Sequence, residues 1–148
     1  MKSFFTVALA ALATQVSAAP VGSSSQCQGW TVAALEHASG QEATFTSNDQ
    51  VILKWTVSDS EVTNIGEVDL YSAKTNEFLH TQYRSSPGVI ATSGQLSFTL
   101  NVPLCLQRDD SYYLGVYSSS SGQNMNCFLQ TPNFQLTADP NGDYTTCP

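Results

Sequence analysis

The chain has 148 residues, with twelve Asp and Glu against five Lys and Arg and a formal net charge of −7. A surface of that sign repels phosphate and anionic lipid, so nucleic acid and acidic membranes are excluded as partners, while neutral polysaccharide, protein or cations remain. The charged fraction is low and the apolar fraction, 41%, suits a folded core.

The first twenty residues, MKSFFTVALAALATQVSAAP, carry one cation, Lys2, an apolar run from Phe4 to Ala13, and the small-residue site Val16-Ser17-Ala18. That order predicts a secretory signal peptide over residues 1–18, too short in its apolar run for a bilayer span of about 20 residues. Removing it leaves about 130 residues, one domain's worth, enough to bury a core of its own. The expected organisation is an N-terminal segment over 19–31, a β-sandwich over 32–138 and a C-terminal tail over 139–148. No hydrophobic tail follows DPNGDYTTCP, so no lipid anchor is expected, and no Asn-x-Ser/Thr sequon occurs. The localisation expected is secreted, in the extracellular space or cell wall.

Short β-branched and aromatic runs then alternate with Gly, Asn, Asp and Ser clusters, the spacing of an all-β sandwich. WTVAALEH reads as a first strand or a short helical turn, and ATFTSND as the rest of a split first strand. In VILKWTV, Val51, Leu53, Trp55 and Val57 share one face, which predicts a second strand with Trp55 as a core pillar. EVDLYS places Val68 and Leu70 inward and Glu67, Asp69 and Tyr71 outward. EFLHTQY reads as an edge strand. QLSFTLNV places Leu96, Phe98, Leu100 and Val102 inward. SYYLGVYS places Tyr112, Leu114 and Val116 inward with Tyr113, Gly115 and Tyr117 outward, and Asp110-Ser111-Tyr112 has the form of a tyrosine corner. The last strand, CFLQTPNFQL, contains Pro132, which suits an edge or a bulge. The sum is an immunoglobulin- or fibronectin III-like Greek-key β-sandwich of about seven strands.

Four cysteines in a secreted chain predict two disulfides. If seven strands alternate in direction, the starts of the first and last strands share one end and the ends of the fifth and seventh share the other. That parity pairs Cys27 with Cys127 and Cys105 with Cys147.

Catalytic patterns are not supported. His80 with Arg84 and Glu36 with His37 raise a small secreted ribonuclease, but the motifs of such enzymes are missing, and exposed strand or loop positions are expected for both histidines. Twelve acids make some carboxylate pair inevitable, so glycoside hydrolysis gains nothing from spacing. There is no Gly-x-Ser-x-Gly elbow and no Cys or His spacing for a metal. Asp139-Pro-Asn-Gly-Asp143 lacks the glutamate of a calcium loop and reads as a turn. No enzyme activity, cofactor or metal is expected. A binding face is better supported: the third and sixth strands of such a sandwich pair directly, bringing Tyr71 beside Tyr113 and Tyr117, with Glu67 and Asp69 on the same patch and a dip at Gly115. Aromatic rings stack on sugars and carboxylates accept from hydroxyls, so a cell-wall polysaccharide is the first partner expected and an extracellular protein the alternative.

The Trp55-centred strand, Val68 to Leu70, Leu100 to Pro103, Tyr113 to Tyr117 and Phe134 to Leu136 together resemble the immunoglobulin-like domain of fungal cell-wall synthesis and Ser-Thr-rich GPI-anchored wall proteins. The resemblance spans about Thr44 to Leu136. It implies a non-enzymatic, secreted, wall-associated domain, linked in some members to β-1,6-glucan assembly, with no catalytic residues to carry over. The alternatives are an effector-like secreted interaction domain and, behind it, a small secreted hydrolase.

Overall fold

A computed structural model describes residues 25–40 and 44–142. The expected signal peptide and Cys147 lie outside the described residues. Ten strands are present among them: β1 (Thr31–Val32), β2 (Glu36–His37), β3 (Thr44–Phe45), β4 (Gln50–Thr56), β5 (Val62–Ser72), β6 (Phe78–Ile90), β7 (Gln95–Thr99), β8 (Ser111–Ser120), β9 (Gln123–Gln130) and β10 (Phe134–Leu136). They form two sheets. In the smaller, β1 and β2 both pair with one edge of β4, and β7 pairs with the other. The larger runs β3-β10-β8-β5-β6, with β9 also on β8. Taking β1–β3 as one broken first strand and β9–β10 as one broken last strand recovers a seven-stranded, immunoglobulin-like sandwich.

The breaks have physical causes. The first strand starts on β4 and then, as β3, pairs in parallel with β10 of the opposite sheet. The helical alternative for WTVAALEH is therefore replaced by two short strands, and His37 and Phe45, both buried, stack at 4.1 Å where the chain changes sheet. Pro132, which cannot donate to a ladder, sits in the gap between β9 and β10.

The core lies between the sheets. Val51, Leu53 and Trp55 of β4 alternate with more exposed neighbours, and the Trp55 indole N–H donates to the Ala91 carbonyl at 2.7 Å. Leu100 and Val102 follow β7, and Tyr112, Leu114 and Val116 of β8 are completely or almost completely buried. The tyrosine corner is present: the Tyr112 hydroxyl donates to the Leu106 carbonyl at 2.7 Å and accepts from the Asp109 N–H at 3.1 Å. Cys27 and Cys127 are bonded, with Cα atoms 5.7 Å apart. Cys127 lies within β9, which starts at Gln123, rather than at the opening of the last strand. Cys105 is buried and not free, and its expected partner Cys147 lies outside the described residues.

Candidate functional site

The site grows from β5. Its core residues Val62, Ile65 and Val68 are three apart, whereas Val68 and Leu70 are two apart. A strand alternates with period two, so each step of three marks an extra residue. The pairing with β8 locates them at Thr63 and Gly66: Val62 opposes Ser120, Asn64 opposes Ser119, Ile65 opposes Ser118 and Glu67 opposes Tyr117. The other neighbour is more distorted. Ile65 pairs with Val89 and Glu67 with Arg84, so Ser85-Ser86-Pro87-Gly88 is pushed out of β6 opposite Gly66. Gly88 permits this. It has φ +89°, and a side chain there would collide with the Ile65 carbonyl.

Beyond the bulge, alternation returns and the expected outward row appears. Glu67, Asp69 and Tyr71 face Tyr117, Gly115 and Tyr113 across β8. The Tyr71 and Tyr113 rings are parallel within 3°, centroids 5.2 Å apart, and the Tyr71 and Tyr117 hydroxyls are 2.6 Å apart. Phe78 meets Tyr71 edge-on, and Phe128 leans on Tyr117 at 4.8 Å. The five sequence-predicted residues are thus brought together, but as a packed layer rather than an open face. Tyr113 is 5% and Asp69 4% exposed, leaving Tyr71, Tyr117 and Glu67 partly accessible. The dip expected at Gly115 is filled: a Cβ there would lie 2.7 Å from ring atoms of both Tyr71 and Phe128.

Two carboxyls in this layer are driven apart. Glu67 is ion-paired with Arg84 of β6, and that bond holds its carboxyl below the usual value against the effect of burial. Burial pushes Asp69 up to about 6; a hydrogen bond from Thr81 opposes the rise and the Glu67 carboxylate adds to it. Asp69 Oδ1 has no hydrogen-bond partner. Burial, and after it the Tyr117 hydroxyl, raises Tyr71 above the ordinary phenol value, and burial also raises Tyr113.

At the end of this layer the extruded Ser85–Gly88 segment and the β8–β9 hairpin form two walls of a groove of about 650 Å³. Asn64, Gly66 and Glu67 line it from β5, Arg84 to Pro87 from β6, and Ser119, Gln123, Asn124 and Met125 from the hairpin. Met125 lies across Gly66, where a Cβ would come within 2.8 Å of its sulfur. The lining is mostly hydroxyl and amide, and its two charges, Glu67 and Arg84, neutralise each other. In a strongly acidic chain this groove is locally uncharged. It can offer donors and acceptors to a neutral polar ligand, with Met125 and Pro87 as small apolar contacts.

Of these residues only Glu67 was expected at a site. The step of three through Val62, Ile65 and Val68 was the available signal for the rest, together with the SSPG and SSSSGQN runs. The histidines are elsewhere. His80 is half-buried beside Gln82. His37 departs from the exposed position expected of it: it is buried, with Nε2 2.8 Å from the Thr44 carbonyl and Nδ1 3.6 Å from Asp49, so it ties β2 to β3. Among the described residues no group of His, Cys, Asp and Glu has the arrangement of a metal site. A second hollow of about 580 Å³ lies at Asn48, Asn101 and Asp139, away from the tyrosine layer. No helix among the described residues is long and apolar enough to cross a membrane. No protein-family model and no curated protein matches the chain.

Proposed function

We propose that the protein is a secreted, non-enzymatic, wall-associated module that binds neutral polysaccharide, such as wall glucan, in the groove between the β6 bulge and the β8–β9 hairpin. The observation that carries this reading is the groove's charge-balanced lining of hydroxyls and amides in a chain of net charge −7. Sugar hydroxyls need paired donors and acceptors at fixed positions, and a bulged sheet supplies them from a rigid frame. The partly accessible Tyr117 beside Glu67 adds an aromatic edge against which a sugar ring can pack. The signal-like N-terminus and the resemblance to fungal wall domains support the compartment.

The test is a pull-down of oxidised protein on insoluble β-glucan, chitin and mannan, with Asn64→Ala/Gln123→Ala alongside. Neither side chain belongs to the core, so the variant keeps its fold. Retention of the parent on one polymer and its loss in the variant is the expected result. No retention on any of the three overturns the reading. A protein-interaction role is the second reading, favoured by the large exposed apolar side chains Phe78 and Ile90 at the two ends of β6.

A further inference from the structure

One long side of the sandwich holds five of the nine partly buried apolar residues that pack against the core among the described residues. Among the described residues β6 and β7 each pair on one side only, so they are the free edges of the two sheets, joined by the turn Ala91–Ser93. Where the core is closed, on β4, β5 and β8, its side chains are at most 7% exposed. On this side Leu79, Tyr83, Val89, Leu96 and Phe98 pack against the core yet remain only partly buried. Ile90, at the junction of the two edges, is 63% exposed. The Gln82 amide donates to the Asn101 carbonyl and accepts from the Asn101 N–H, both at 2.8 Å, which pins the edges together at one point and leaves the seam otherwise open.

Charge marks the same side. No Asp or Glu occurs between Glu77 and Asp109, the stretch that supplies both edge strands, although the chain holds twelve. The carboxyls that reach β6 from β5 are Glu67, neutralised by Arg84, and the buried Asp69 against Thr81. The titratable groups of β6 itself are His80, Tyr83 and Arg84.

We propose that this open, acid-free side is the surface through which two copies of the chain associate. Contact through an acidic side would set like charges against each other, whereas here the repulsion is absent and apolar area is available on both partners. A two-fold pair also needs one patch that complements itself, and β7 supplies one: its pairing with β4 runs without a bulge from Gln95 to Thr99, so the free N–H and C=O groups on its outer side match those of its own copy. Association would cover the half-buried apolar row and extend the smaller sheet across the two-fold axis.

Sedimentation equilibrium of the oxidised protein over a concentration series tests this, with two charge-matched variants. Ile90→Glu/Ser97→Glu places acids on the two free edges at exposed positions. Thr31→Glu/Thr44→Glu adds the same charge to exposed positions on the opposite edges. The parent is expected to dimerise, the first variant to associate at least tenfold more weakly, and the second to resemble the parent. A parent that stays monomeric overturns the proposal, and so does equal weakening by both variants or by neither. The pull-down variant changes Asn64 and Gln123, which lie on neither free edge, so either proposal can fail alone.

Discussion

Tyr113 lies flat against Tyr71, ring planes 3° apart, and is almost closed off from solvent. An outward-pointing tyrosine is therefore part of a second apolar layer on the outer surface of the larger sheet. Tyr113→Ala is expected to cost about 3 kcal/mol in stability, because it empties a packed position. Urea denaturation measures this. Tyr117, the more accessible partner, is expected to tolerate replacement by Phe with a loss of about 1 kcal/mol, the net worth of its hydrogen bond to Tyr71.

The carboxyl pair beneath the groove gives stability a maximum in mild acid. Asp69 titrates at about 6 in the folded chain against an ordinary 3.8. Between those values the folded state holds a proton that the unfolded chain has released, so stability falls as pH rises through that window. Glu67, held below its usual 4.5 by Arg84, works in the opposite sense. Its contribution is present above 4.5 and is lost as pH falls through the folded value. Denaturation midpoints from pH 3 to 8 should peak near about pH 4. Asp69→Asn should flatten the upper limb and raise stability at pH 7.5 by about 1–3 kcal/mol.

Gly88 is the residue on which the β6 bulge depends. At φ +89° and in contact with the Ile65–Gly66 backbone, it has no room for a methyl group. Gly88→Ala should cost about 3 kcal/mol or more, from backbone strain and overpacking together. The same substitution at Gly122, where φ is +75° but nothing lies within 4 Å of the added carbon, should cost only about 1 kcal/mol. The difference between the two thermal midpoints separates packing from backbone strain.

The Cys27–Cys127 bond closes a loop across 100 residues of sequence. Cys27→Ala/Cys127→Ala should lower stability by about 2–5 kcal/mol, read as a shift in the urea midpoint of the purified protein.

Much of the frame was legible because its strands obey simple alternation. Val51, Leu53 and Trp55 give a period-two pattern that their burial matches, and Tyr112, Leu114 and Val116 are buried as their phase predicts, although Tyr113 and Gly115 between them are buried as well. The Cys27–Cys127 pairing followed from strand direction alone, even though Cys127 proved to lie inside its strand. The groove was illegible for the opposite reason. Its floor is made where alternation fails, at Thr63 and Gly66, so that only EVDLYS read as strand and not the whole of Val62–Ser72. Exposure was illegible too. Phase shows which way Tyr113 points, but whether a ring is covered depends on Tyr71, Phe78 and Phe128, which come from different strands. His37 was misread because its burial follows from a chain that changes sheets, which local pattern does not reveal.

The segment pushed out of β6 separates two properties that are usually coupled in a sheet. Pairing resumes at Arg84 on one side of it and at Val89 on the other, so residues added or removed at Ser85, Ser86 or Pro87 would leave every other strand in register, provided Gly88 stays in place. The wall of the groove is therefore adjustable in length while the sandwich beneath it keeps its shape. A lineage that needed a new ligand could alter that one loop and leave the rest of the protein unchanged.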